Sequence, residues 1–302
     1  MGAGSRQWDF AVAWEWPYDD DFVARLATRC AVSGRTFLSI TADNLTASLA
    51  ELMEGGSVRV LLDRASDADQ RFLPLQRLVE KRGGKVLNRD ALALWSSDKT
   101  TMHMEFLSHG VNVPNTVLLP PYASHSELAA EAIAGIGSPF YVKPASFGGG
   151  EGVRVAGCIE EAQEARRQYP LEKYLLQERV LPRLLDGRRA WFRPLHCCGD
   201  VHLLWWDDRT HLYTAVTSQE EALYGLSGLR QVSRQVAEVS LMDFFTTEVC
   251  MVESGRLVAV DYVNTPCDMR LQSRHAEGVP DAVVDRVVES LVCLAAGEDT
   301  VG

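Results

Sequence analysis

Apolar and polar positions alternate in blocks along the first third of the chain. Short apolar runs at 10–14, 36–40, 58–62 and 86–88 are separated by amphipathic stretches at 21–32, 44–54 and 67–82. Uniformly apolar runs suit strands buried on both faces, and the stretches between them suit crossover helices. The order therefore predicts βαβαβαβ around a parallel sheet.

The pattern then changes. Residues 90–110 read as helical, with Ser97 or Asp98 as an N-cap and Gly110 as the stop, before Pro114 opens an extended segment. Beyond it come a strand at 116–119, a helix at 124–136, a strand at 140–143, a glycine loop, a strand at 153–156, a helix at 159–167 and a strand at 174–180. This mixed order predicts an α+β lobe. The remainder reads as a meander (190–197, 201–206, 212–216), a helix at 227–239, paired strands at 245–253 and 256–263, and a closing helix at 280–294. Three regions are expected: an α/β domain over 1–95, then lobes over 96–180 and 181–302.

Composition narrows the function. With 302 residues and 46% hydrophobic content the chain can bury a substantial core. A formal charge of -11 argues against nucleic acid as a partner, because a phosphate backbone demands a basic face. The seven cysteines are odd in number and lack CxxC spacing, so free thiols in a reducing compartment are expected. Residues 1–16 carry no basic segment followed by an apolar core, and no apolar run is long enough to span a bilayer. A cytoplasmic protein without a membrane partner is the expectation, with a homodimer as the default assembly.

The most informative segment is Phe140-Tyr141-Val142-Lys143-Pro144-Ala145-Ser146-Phe147-Gly148-Gly149-Gly150-Glu151-Gly152-Val153. A strand delivers a lysine directly ahead of four glycines. Lysine supplies a mobile point charge for phosphate oxygens, and glycines let backbone N–H groups approach the same anion. Glycine turns between strands are ordinarily plain hairpins; the lysine at the strand end argues for phosphate. It is not a Walker loop, which has its lysine after the glycines, and no GxGxxG stands between a strand and a helix here.

With Asp98-Lys99 upstream and the acidic strands downstream, the order of motifs from about Asn88 to Arg270 resembles the ATP-grasp superfamily, as in D-alanine–D-alanine ligase and ribosomal-protein glutamate ligase type enzymes. The resemblance implies a small parallel α/β domain followed by a two-lobed ATP-grasp domain. Lys99 and Lys143 would contact phosphates, with Gly148, Gly149, Gly150 and Gly152 as the covering loop. Gln177, Glu178 and Val180 would lie on the hinge strand that reads the adenine edge; a solvated strand face is the plainer reading of Gln177. Arg193 would sit near the transferred phosphoryl group, where a planar fork grips developing charge; a surface strand arginine is the alternative.

Glu248, inside one apolar strand, and Asp261 with Asn264, ending the next, form the expected magnesium set. An acid inside an apolar strand is costly unless metal-bound or paired, the alternative partners being Arg270 or Arg274. One departure stands out. The family usually spaces its acid and asparagine two apart, whereas Asp261 and Asn264 are three apart and Tyr262 occupies the acid position. A bulge at Tyr262 restores the geometry, or Asp268 supplies the carboxylate, or part of the catalysis is lost.

The implied activity is ATP-dependent activation of a carboxylate as an acyl-phosphate for attack by an amine. ATP and Mg²⁺ are its cofactors, and a small molecule or peptide is its substrate. The alternatives are a small-molecule kinase acting on a polyol or inositol phosphate, with Arg179, Arg183, Arg188 and Arg189 as its foothold, and a nucleotide-binding protein without turnover. A zinc site at His196, Cys198 and His202 is disfavoured because the spacing fits no common pattern.

Overall fold

The computed structural model describes residues 6–297; residues 1–5, which open the segment read for a leader, and 298–302 lie outside it. The first region is as expected. Strands β1 (Gln7–Trp14), β2 (Phe37–Ile40), β3 (Ser57–Arg64) and β4 (Lys85–Leu87) form a parallel sheet in the order β2-β1-β3-β4. Helices α1 (Asp20–Val32), α2 (Leu45–Met53) and α3 (Leu73–Lys81) make the crossovers. Phe10, Ala11, Val12 and Ala13 are fully buried, because helices cover both faces of β1.

The segment 90–110 is two helices, α4 (Asp90–Ser97) and α5 (Lys99–Ser108). Asp98 breaks the helix with an extended backbone and caps α5, its carboxylate accepting from Thr100 N at 2.9 Å and Thr101 N at 3.1 Å. Next come β5 (Thr116–Leu119), α6 (Ala130–Ile133), β6 (Phe140–Pro144), β7 (Arg154–Ala156), α7 (Ile159–Gln168) and β8 (Tyr174–Glu178), whose strands form an antiparallel sheet in the order β5-β8-β6-β7. The helix expected at 124–136 survives only as α6. The guanidinium of Arg166, fully buried, donates to the carbonyls of Pro120 and His125, and these bonds hold the approach to α6 as a loop.

A small hairpin of β9 (Leu184–Leu185) and β10 (Arg188–Arg189) leads into the last lobe. There β11 (Trp191–Phe192), β12 (Leu195–Cys197), β13 (Asp200–His202), β14 (Leu204–Trp206), β15 (Tyr213–Ala215), β16 (Phe244–Met251) and β17 (Leu257–Asn264) make a seven-stranded sheet with β16 central. The single strand expected at 190–197 is interrupted at Arg193-Pro194, where proline offers no N–H to the ladder. Helix α8 (Ser218–Tyr224), which the sequence reading missed, carries a capping box between Thr217 and Glu220. Helices α9 (Gly228–Ser240) and α10 (Asp281–Ala296) complete the chain.

One apolar core joins β1 and α1 of the first region to α10 and to β12, β14 and β15 of the last. Two polar contacts fix that junction against the ends of β16 and β17. Asn88 Oδ1 accepts from Asp243 N and Phe244 N, both at 3.1 Å. Arg64, paired in both directions with buried Asp19 at 2.7 Å, donates to Cys267 O at 3.0 Å. Among the described residues no helix is long and apolar enough to cross a membrane.

Candidate active site

A cleft of about 740 Å³ opens between the β5-β8-β6-β7 sheet and the β16–β17 face of the last lobe. The lysine strand enters it by simple alternation. Phe140 and Val142 are fully buried beneath β6, so Tyr141 and Lys143 face the cleft. Lys143 Nζ donates to Val260 O at 3.0 Å, and burial lowers its pKa against the opposing pull of Asp261 and Glu248. Lys99, first residue of α5, reaches across to donate from Nζ to Phe147 O at the start of the glycine loop.

Gly148, Gly149 and Gly150 line the cleft, and a Cβ on any of them would meet nothing. Their value is therefore conformational: Gly149 and Gly150 stand at φ 59° and 77°, turning bare backbone toward the opening. Gly152 is different. It lies outside the cleft lining, packed so closely on Pro144, Phe147 and Tyr169 that a Cβ would come within 2.7 Å of Pro144. It anchors the loop's return.

The strand expected over 174–180 ends at Glu178; Gln177 and Glu178 at its end, and Val180 two residues past it, line the cleft. Gln177 is buried, not a solvated face, and its Nε2 donates to Tyr262 Oη at 3.2 Å. The Glu178 carboxylate accepts from Asn115 N at 2.9 Å and Asn115 Nδ2 at 2.8 Å, so the side chain is engaged at the strand edge.

Arg193 is no surface residue. Its side chain is 16% exposed, stacked over Trp206 at 4.7 Å, with Nε donating to Thr246 Oγ1 at 3.2 Å and Nη1 3.6 Å from Glu248 Oε1. Glu248 thus pairs with Arg193 rather than with Arg270, which grips Asp268, or Arg274, which lies 3.9 Å from Asp21.

The carboxylates face one another. Glu248 on β16 is the cross-strand partner of Asp261 on β17, and Thr246 is the partner of Asn264. Between these pairs one residue on β16, Thr247, opposes two on β17, Tyr262 and Val263, which is a bulge. It turns Tyr262 into the core, 1% exposed, and leaves Asp261 and Asn264 both lining the cleft. Thr247 Oγ1 supports the bulge by donating to Asp261 O at 2.9 Å.

Burial pushes the Glu248 carboxyl above its usual range, Arg193 opposing and Asp261 reinforcing. Burial also raises Asp261, but Lys99, Lys143 and Arg193 outweigh it and hold that carboxyl low. Two buried oxygen donors crowded together on adjacent strands, with an amide beside them, fit a hard cation such as Mg²⁺ that keeps some water or phosphate oxygen in its shell. Among the described residues no group of three His, Cys, Asp or Glu comes together, so Asn264 is the third protein ligand available.

The end of the cleft beyond Arg193 carries Trp206, Asp208, His211 and Tyr213, to which the sequence assigned no role, and Arg270, weighed there only as an ion-pair partner. Trp206 stacks on His211 at 5.4 Å and lies tilted against Tyr213 at 4.5 Å, and Arg270 packs over Trp16 at 5.6 Å. Trp205, by contrast, is core, against Phe192. The strand alternation that turns Trp206 toward the cleft and Trp205 away from it was readable; the meeting of Arg270 with Trp16 depends on the junction between the first and last regions. His196 stacks on Phe245 and accepts from Gly199 N at 3.3 Å, an interior role rather than a zinc site.

No family model matches the chain, and no curated protein matches it. Solved structures do. A RimK domain ATP-grasp protein from Sphaerobacter thermophilus superposes with a TM-score of 0.62 at 20% identity, covering 93% of this chain and 99% of that one. The D-alanine–D-alanine ligase of Bacillus anthracis, complexed with ATP, gives 0.64 at 11%, covering 97% and 98%. The ATP-grasp ligase PsnB, complexed with a minimal precursor, Mg and ADP, gives 0.63 at 11%, covering 94% and 98%. The likeness is one of fold over nearly the whole chain: this protein has the ATP-grasp fold, with a parallel N-terminal sheet and two antiparallel lobes.

Proposed function

We propose that the chain is an ATP-dependent ligase that activates a carboxylate as an acyl-phosphate and joins it to an amine, releasing ADP and phosphate. The observation that carries this reading is the convergence of Lys99, Lys143, the glycine loop, Arg193, Glu248, Asp261 and Asn264 on one cleft. The two lysines and the loop hold the phosphates, and Arg193 neutralises charge on the transferred group. Glu248, Asp261 and Asn264 would hold Mg²⁺, which would supply positive charge against the charge that develops on the transferred group. The γ-phosphorus bonds to a carboxylate oxygen as ADP leaves; the amine nitrogen then bonds to the acyl carbon and phosphate departs.

The acceptor end, walled by Trp206, Tyr213 and Arg270, suits a small molecule or the end of a peptide, with the N-terminal domain contributing through Trp16. A fold neighbour is bound to a precursor peptide and another is named for D-alanine. The kinase reading loses two of the four arginines of its basic foothold: Arg189 is bound to Asp208 at 2.7 and 2.8 Å, and Arg188 lies over Trp205. The non-catalytic reading rested on Tyr262 in the acid position, and the bulge supplies Asp261 instead.

The test is a screen of carboxylate and amine pairs for ADP release, followed by ¹⁸O labelling of the active carboxylate. A ligase requires both substrates and passes one labelled oxygen into phosphate. A stable phosphoester made from an alcohol, with no label transferred, would overturn the proposal in favour of a kinase.

A further inference from the structure

One buried hydroxyl ties together three segments of the cleft. Tyr262 Oη lies 2.6 Å from His103 Nδ1 and accepts from Gln177 Nε2 at 3.2 Å. Tyr262, Gln177 and His103 are 1%, 2% and 3% exposed, so no solvent stands in for any of these bonds. Each partner belongs to a different part of the site. His103 is four residues beyond Lys99, one turn along the same face of α5. Gln177 is on the hinge strand, and Tyr262 itself is in the bulge between Asp261 and Asn264.

We infer that Tyr262 is a positioning residue whose hydroxyl holds the β17 bulge in the register that turns both Asp261 and Asn264 into the cleft. The inference rests on reading those two residues as Mg²⁺ ligands. A regular ladder is the alternative arrangement of β17, and in it residues three apart point to opposite faces. Something must secure the extra residue on the core side. Phe106, edge-on to the ring at 5.1 Å, supplies packing that any aromatic would retain. The hydroxyl adds direction, because it meets His103 Nδ1 and Gln177 Nε2 together only while the ring stays between them.

The same bonds couple the sites. A shift of Tyr262 displaces the two ligands beside it and frees Gln177, at the nucleotide edge, and His103, beneath Lys99. The tyrosine that breaks the family's usual spacing thus takes over, through the core, the ordering of the metal strand.

The experiment measures binding of a non-hydrolysable ATP analogue across a Mg²⁺ series, on the wild type, Tyr262→Phe and His103→Gln, with thermal melts in parallel. Tyr262→Phe keeps the ring and leaves two buried groups unpaired, so the Mg²⁺ midpoint should rise about tenfold, a larger change than the accompanying loss of metal-free analogue affinity. His103→Gln retains an acceptor for the hydroxyl and should sit nearer the wild type. A Mg²⁺ midpoint unchanged in a folded Tyr262→Phe protein overturns the inference and leaves the ligand assignment standing. A wild type indifferent to Mg²⁺ overturns the ligand assignment and the inference with it. Should Tyr262→Phe fail to fold, His103→Phe, which removes the acceptor from outside the bulge, is read on the same scale: a raised midpoint supports the inference and an unchanged one overturns it.

Discussion

Glu248 and Asp261 face each other across β16 and β17, yet burial raises one carboxyl while three cations hold the other low. Such a pair serves a ligand better than it serves the fold, since placing two acids together in a buried cleft is costly without a cation. Replacing Glu248 by Gln removes a charge that its surroundings already disfavour. Stability of the free protein should change by less than about 1 kcal/mol, while Mg²⁺-dependent nucleotide affinity falls on the order of 100-fold. Parallel thermal melts and titrations check both halves; a large loss of stability with binding intact contradicts the assignment.

Arg64 and Asp19 form a fully buried pair that also holds Cys267 O. Arg64→Met strands the carboxylate and should cost about 3–5 kcal/mol in urea unfolding. Adding Asp19→Asn should recover most of that loss, because the stranded charge, more than the missing bond, sets the penalty.

Three histidines, His103, His196 and His202, are each lowered by burial from 6.5 to about 4. Below pH 6.5 the unfolded chain takes protons that the folded protein refuses. Stability contributed by the neutral rings is complete above 6.5, falls as pH drops from 6.5 toward 4, and levels off below that. Urea midpoints between pH 7 and 4.5 should decline, and less steeply in His196→Phe, which keeps the stacking on Phe245. A flat profile contradicts the burial argument.

The loop between β6 and β7 should tolerate side chains sterically but not conformationally. Gly149→Ala meets no neighbour but forces alanine to φ 59°, and should reduce nucleotide affinity several-fold with little change in melting. Gly152→Ala, set against Pro144, should lower stability itself, about 1 kcal/mol or more in urea unfolding.

What was legible in the sequence follows from periodicity. The parallel sheet, the lysine strand and the β16–β17 pair were readable because each is a local alternation with one buried face. The cap at Asp98 was one of two candidates, with Ser97, and the bulge at Tyr262 one of three readings of the spacing; local chemistry offered them without choosing. Other features were set by distant partners. The stretch read as a helix over 124–136 has its alanines from the middle onward, and around its start Arg166, about forty residues away in sequence, takes the carbonyls of Pro120 and His125. The engagement of Glu178 by Asn115 is a cross-strand event that no spacing announces. The core shared by α10 and the first sheet likewise joins the two ends of the chain.

The central claim is that this cleft binds Mg-ATP through Lys143 and the β16–β17 acids. Calorimetric titration of a non-hydrolysable ATP analogue, with and without Mg²⁺, on wild type and Lys143→Ala tests it most directly. The account predicts tighter binding with Mg²⁺, and a loss of about 10- to 100-fold in a mutant that still folds. A folded wild type that takes up no analogue at millimolar concentration, with Mg²⁺ present, would contradict it.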